Sequence, residues 1–157
     1  ICEPDVMLKR LMLSIQLNAK RTWAMADPGR LQQVLWNLIK NAVKFTPEWG
    51  RVRLDASIQV EGFATISVSD TGPGMDTAEI DTAMSPFGQV EAGFNKSHEG
   101  TGLGLPIAYA LARLHGGDLR IQSAKGAGTR VSVFIPLATN VGAQAAGTVG
   151  SITSGVH

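Results

Sequence analysis

The chain has little of most residues that would classify it at a glance. It holds one cysteine in 157 residues, which excludes an internal disulfide framework and a cysteine-based zinc site and predicts a reducing compartment. Aromatic residues make up 6%, and 14 Lys plus Arg stand against 13 Asp plus Glu. Scattered cations with few aromatics between them predict no nucleic-acid partner. No apolar run approaches the ~20 residues of a membrane span and no secretory leader is visible, so no membrane contact and a cytoplasmic location are expected. The length predicts one domain with room for a real core.

Patterning divides the chain clearly. Leu13, Ile15 and Leu17 alternate with polar residues and predict a half-buried strand. Asn18 to Arg21 reads as a polar turn and Thr22 to Ala26 as a short second strand. Asp27-Pro28 is a helix start, with Asp as N-cap and Pro in the first helical position. Leu31, Val34, Leu35, Leu38, Ile39, Ala42 and Val43 then follow an amphipathic period to about Phe45, ahead of Pro47. Two alternating runs, Val52 to Val60 and Ala64 to Val68, predict a hairpin across Glu61-Gly62. A short helix is predicted from Asp76 to about Met84, and Ser85 to Thr101 reads as a mobile loop. A second long helix is expected from Leu103 to His115, with Pro106 in its first turn and Gly116-Gly117 as its stop. Leu119 to Ser123 and Arg130 to Pro136 predict a last hairpin. Ala138 to His157 carries no Lys, Arg, Asp or Glu and predicts a disordered tail. Strands and helices intermix without regular β-α-β alternation, so a mixed sheet with helices on one face is expected.

Three motifs carry chemistry. At about 100° per residue, the first long helix puts Asn37, Asn41 and Lys44 on one face, extended by Gln33 and Arg30 and set opposite the Leu31/Leu35/Leu38/Ala42 stripe. Most helices have a solvated polar face, but two Asn one turn apart plus a Lys offer amide oxygens to a hard divalent cation and an ammonium to phosphate. Asp70-Thr71-Gly72-Pro73-Gly74 ends a strand. Such a segment is either an ordinary turn or a carboxylate that accepts an exocyclic amine of a base, with glycines admitting a flat ring; adenine and guanine both offer that amine. Gly100-Thr101-Gly102-Leu103-Gly104-Leu105 precedes a helix, where backbone amides can hold an anion. A dinucleotide fingerprint would need glycine at Ile107. In Gly88 to Ser97 a P-loop fails because Phe94 stands where its lysine belongs and Lys96-Ser97 comes two residues late.

In this order, the three motifs make the chain resemble the catalytic and ATP-binding domain of bacterial two-component sensor histidine kinases, in the superfamily shared with type II topoisomerases, heat-shock chaperones and mismatch-repair proteins. Asn37 to Thr46 is similar to the N box, Asp70 to Gly74 to the first glycine box, Ser85-Pro86-Phe87 to the F box and Gly100 to Leu105 to the second glycine box. Asp27 to Leu35 and Leu114-His115-Gly116-Gly117 agree as flanks. The resemblance implies an α+β fold, a two-layer α/β sandwich of the Bergerat type with a mixed, mostly antiparallel sheet. It divides the chain into a truncated N-terminal element over 1–12, the ATP-binding domain over 13–137 and a tail over 138–157.

It also implies roles. Asn41 would bind magnesium, supported by Asn37; Lys44 would contact phosphate and Phe45 the base or sugar. Asp70 would hold the adenine amine beside Gly72 and Gly74, and Thr129 would line the base pocket. Gln89 to Thr101 would form a lid over ATP, with Phe87 as its packing hinge and Lys96 and His98 near the terminal phosphate. Gly100, Thr101, Gly102, Leu103 and Gly104 would bind phosphate. Relatives that hydrolyse ATP carry a general-base Glu where Asn37 stands, and an amide is no base, so phosphoryl transfer to a protein acceptor is implied. No Ser-His-Glu-Leu-Arg-type acceptor motif occurs, so the implied partners are a separate phosphoacceptor (dimerisation) domain and, through it, a response regulator. Alternatives are a stand-alone serine kinase of the anti-sigma type and a non-catalytic nucleotide-binding interaction module.

Overall fold

A computed structural model describes residues 3–18, 24–60, 62–88 and 101–138. Along the chain come α1 (Glu3–Leu8), β1 (Met12–Leu17), α2 (Pro28–Phe45), β2 (Arg51–Val60), β3 (Phe63–Asp70), α3 (Thr77–Met84), α4 (Gly104–Leu114), β4 (Asp118–Ser123) and β5 (Thr129–Pro136). The strands form one five-stranded sheet in the order β1-β2-β3-β5-β4. Only β1 and β2 are parallel. Parallel neighbours need a long crossover, and α2 lies within theirs, a β-α-β unit that the mixed element order concealed.

The sheet has two unlike faces, as its alternating strands require. Val52, Val68, Val131, Val133, Ile135 and Leu119 point to one side and pack with Val34, Leu38 and Ala42 of α2 and Ala108, Leu111 and Ala112 of α4. Burying a side chain such as Leu38 fully stabilises the fold by about 1.5–3 kcal/mol. The other face carries arginines and small hydroxylic residues. There Arg53 pairs with Asp55 at 2.8 Å, Arg120 lies 4.9 Å from the Phe134 ring centroid, and the Ser67 and Ser132 hydroxyls meet at 2.8 Å. This is the helix-covered mixed sheet expected from the sequence.

Both ends of α2 are held. Asp27 Oδ1 accepts the Arg30 amide at 2.9 Å, the predicted N-cap, with Pro28 leading the helix. Asp27 N–H donates in turn to His115 Nε2 at 3.0 Å, and His115 Nδ1 lies 2.7 Å from the Leu111 carbonyl oxygen. An Nε2 that accepts leaves the ring proton on Nδ1, so the last turn of α4 is tied to the first turn of α2. The other end stops at Thr46, whose amide and hydroxyl both donate to the Ala42 carbonyl.

Two sequence expectations change. Strand β1 forms, but it is not half-buried: Leu13, Ile15 and Leu17 are 56%, 68% and 72% exposed. They stand in register with Val52, Leu54 and Ala56 on the apolar side of the sheet, but β1 is the edge strand and the core helices pack over its inner neighbours. Of the short strand expected from Thr22 to Ala26, the described residues 24–26 show one isolated bridge, Ala24 with Leu137; Thr22 and Trp23 lie outside the described residues. Of the two readings of the Asn37/Asn41 face, the solvated one gives way, since both residues are half-buried beside the start of α4. The loop from 89 to 100, the turn from 19 to 21 and the tail from 139 onward also lie outside the described residues.

Candidate nucleotide site

Helix α2 carries half of the candidate site. Asn37 and Asn41, one turn apart, are half-buried against the first residue of α4. A methyl group added at Gly104 would lie 3.5 Å from Asn41 Nδ2, 3.7 Å from its Oδ1 and 3.9 Å from Asn37 Cβ. The Asn41 amide therefore faces a helix N-terminus, with the Asn37 Cβ beside it, where unsatisfied backbone N–H groups favour an anion. Leu103 precedes that helix and offers no side-chain cap to those groups. Lys44 lies in the last turn of α2, its ammonium 5.0 Å from the Phe45 ring centroid. Its pKa is lowered, first by burial and then by nearby Lys40.

Strand β3 carries the other half. It ends on Asp70, opposite Thr129 at the start of β5. Asp70 Oδ1 accepts the Gly72 amide at 2.8 Å. Burial raises the Asp70 pKa, and backbone hydrogen bonds from Gly72 and Thr129 offset part of the rise. A carboxylate held partly dry at the end of a sheet suits an exocyclic amine better than it suits water. At Gly72 a methyl would come within 2.7 Å of Asp70 Oδ1 and 3.0 Å of the Phe45 carbonyl oxygen, so this box packs directly on the end of α2. A cavity of about 370 Å³ adjoins Asp70, lined also by Ser69, Ser123, Gly128, Thr129 and Arg130. No residue of α2 lines it, so it meets the candidate site only at the Asp70–Thr129 end.

The glycines act through close packing. Gly74 has a φ of +69°, and a side chain there would collide with the Ala124 carbonyl. Gly102, with a φ of +67°, closes on the neighbouring segment so tightly that a methyl would fall 2.7 Å from the Gly88 carbonyl oxygen. The two ends of the expected lid thus meet, and only glycine fits the junction. Phe87, expected as a packing hinge, has its side chain 74% exposed and a φ of 63°; the packing at this point is made by backbone against Gly102. Thr101 is exposed and Leu103 half-buried, while Gly100, Lys96 and His98 lie outside the described residues.

Ser123 is a supporting residue that the sequence did not announce. Its hydroxyl accepts the Met75 amide at 2.8 Å and donates to the Gly128 carbonyl at 2.9 Å, fastening the turn after Asp70 to the β4–β5 hairpin. Across the same junction Lys125 forms an ion pair with Glu79, which holds the Glu79 pKa below the usual carboxylate range, mainly through that hydrogen bond. No local pattern marks the Met75–Ser123 contact or the ion pair, since those partners lie 48 and 46 residues apart.

Fold and candidate site together define an α+β domain whose candidate ligand groups lie on one long helix, one strand end and one helix N-terminus. The family model for histidine kinase-, DNA gyrase B-, and HSP90-like ATPases matches residues 26–139. The chain belongs to this family. It is 44% identical over 111 residues to an uncharacterized sensor-like histidine kinase of Rhizobium meliloti (strain 1021), covering 71% of this chain and 21% of that protein. It is 42% identical over 128 residues to the circadian input-output histidine kinase CikA of Synechococcus elongatus, covering 81% and 17%. The chain therefore spans about a fifth of the length of these curated relatives. Among solved structures, full-length ShkA in complex with AMPPNP superposes with a TM-score of 0.74 at 32% identity, covering 87% of this chain and 27% of that one. The catalytic domain of histidine kinase ThkA gives 0.70 at 26% identity, covering 86% of each chain. The catalytic and ATP-binding type expected from the motifs is the one these relatives share.

Proposed function

We propose that this chain binds magnesium-ATP between α2, the end of β3 and the start of α4, and donates the γ-phosphoryl group to a histidine on a separate phosphoacceptor domain. The observation that carries the reading is the convergence of Asn37, Asn41 and the Gly104 helix start, with Asp70-Gly72 packed on the far end of the same helix. Adenine places its amine on the Asp70 carboxylate, next to Thr129 and within the wall formed by Gly72 and Gly74. Lys44 and the amides from Gly102 to Gly104 take the phosphates, and Phe45 packs on base or sugar.

The donor set fits magnesium. Asn37 and Asn41 offer neutral, hard amide oxygens one turn apart, and magnesium is commonly held by few protein ligands together with substrate phosphates and water. Among the described residues no cluster of three His, Cys, Asp or Glu competes for a metal. Asn41 would be the ligand and Asn37 its support; magnesium bound there would neutralise charge on the triphosphate. In the transfer the acceptor nitrogen forms a bond to the γ-phosphorus as the bond to the β–γ bridging oxygen breaks and ADP leaves. An Asn at position 37 supplies no base to activate water, which favours protein transfer over hydrolysis. Within a longer kinase the phosphoryl group would pass on to a response regulator, and the domain would work in the cytoplasm; among the described residues no helix is long and apolar enough to cross a membrane.

Calorimetric titration with ATP, with and without magnesium and beside GTP, tests the binding. Magnesium-strengthened binding that prefers ATP supports it, and no binding by a folded sample overturns it. Asn41→Ala should abolish the magnesium dependence while the folded circular-dichroism spectrum remains; an unchanged response to magnesium removes Asn41 as the ligand. Incubation with a detached phosphoacceptor domain then tests the chemistry: an acid-labile product supports histidine, and an acid-stable one points to the serine-kinase alternative.

A further inference from the structure

Helix α2 has an unusual C-terminal cap that comes from outside the helix, from a lysine 34 to 37 residues upstream of the carbonyls it serves. The last carbonyls of a helix have no partner within it and carry the negative end of its dipole. The Ala42 carbonyl is taken by Thr46. Those of Val43, Lys44 and Thr46 all accept from the Lys9 ammonium, at 3.0, 2.6 and 3.1 Å. An ammonium has three N–H donors, and all three are accounted for. A solvated surface lysine makes no such convergent set.

The backbone is built to deliver that side chain. The Lys9 amide closes on the Asp5 carbonyl at 3.0 Å, and its carbonyl accepts the Trp49 amide at 2.9 Å. Arg10 adopts a left-handed conformation, with a φ of 50°, which a non-glycine residue enters only under strain. Its guanidinium then stacks 4.8 Å from the Trp49 ring centroid, and Met12 N–H donates to the Gly50 carbonyl at 2.9 Å. Residues 9–12 are thereby clipped to residues 46–50, directly behind the turn that carries Lys44 and Phe45.

We propose that Lys9 is a positioning residue for the nucleotide site, acting through the last turn of α2 to hold Lys44 at the phosphates. It touches no nucleotide group itself. The inference rests on the nucleotide reading above, in which Lys44 contacts phosphate.

The test is a double-mutant cycle on the 157-residue chain, with Lys9→Met, Lys44→Met and both together, each titrated with magnesium-ATP and each checked for folding by circular dichroism. Lys9→Met should weaken magnesium-ATP binding by about five- to twentyfold, the scale of a lost charged cap. The double variant should bind no more than about twofold more weakly than Lys44→Met alone, because coupled residues are not additive. Multiplying losses, as from a general loosening of the fold, overturn the proposal. So does a folded Lys9→Met that binds like the unaltered chain. If Lys9→Met does not fold, Lys9→Gln, which keeps two donors, is put through the same cycle; failure of both to fold overturns a positioning role in favour of a purely structural one. An unaltered chain that does not bind magnesium-ATP sinks the nucleotide reading itself, whereas normal binding by the variants sinks only the role of Lys9.

Discussion

Strands β1 and β5 have similar alternating apolar patterns and opposite fates. In β5, Val133 and Ile135 are 0% and 1% exposed, whereas Ile15 and Leu17 in β1 are 68% and 72% exposed. Both sets point to the same side of the sheet. The difference is cover: β5 lies inside the sheet beneath the two long helices, and β1 lies at its edge. Alternation therefore reports the pleat of a strand, and burial reports what has been laid on top of it. The site residues fall between these extremes. Asn37, Asn41, Lys44 and Asp70 are all half-buried, dry enough to strengthen polar contacts and open enough to admit a ligand.

Substitutions can break that comparison, and the largest effect should come from the covered strand. Ile135→Ala should cost about 2–5 kcal/mol through lost burial and a cavity, read as a lowered midpoint in urea denaturation with an unchanged slope. A loss below about 1 kcal/mol would mean that the two strands differ less than their exposure implies.

Asp70→Asn probes the half-buried class. It should weaken ATP at least tenfold, about 1.4 kcal/mol, and weaken ATP more than inorganic triphosphate. The pH dependence has a definite sign. Burial raises the folded-state pKa of Asp70, so the native protein holds this proton more tightly than the unfolded chain does. The stability from that proton is full below the ordinary carboxylate range and is lost as pH rises through the raised value. Without nucleotide, Asp70→Asn should therefore gain on the unaltered chain across that window and keep the advantage at neutral pH, while ATP affinity of the unaltered chain falls as pH drops into it. Denaturation at a series of pH values checks the first claim, and an advantage that shrinks as pH rises would contradict it.

His115→Ala should remove about 1 kcal/mol, the net worth of the link between the ends of α4 and α2, measured as a shift in thermal midpoint. The smallest effect belongs to the open edge: Ile15→Thr should change stability by less than about 0.5 kcal/mol. A larger loss there would show that β1 is covered in solution, by a further segment or a second copy, and would erase the contrast with β5.

How far the sequence could be taken follows from the range of each interaction. The N-cap at Asp27, the helix stop before Pro47 and the capping box that starts α3 at Asp76 all fall within four residues of the groups they serve, and the first two were legible locally. The hairpins were legible for the same reason, as alternating runs broken by turn residues. The site was legible as residue types: two Asn one turn apart, an Asp at a strand end and a glycine-rich helix start. Its arrangement was not. The polar face of α2 was expected opposite the apolar stripe, and only the packing of Gly104 against Asn41 shows it turned inward toward α4.

Local sequence, then, determined where backbone turns, which elements form and which side chains carry chemistry, because those depend on neighbours within a few residues. Tertiary structure decided that β1 stays uncovered, that His115 meets Asp27 across 88 residues and that Lys9 caps α2 from 34 to 37 residues away. The physical reason is that burial and long-range hydrogen bonds are properties of assembled surfaces. No residue carries a local mark for a partner that the chain brings to it only by folding.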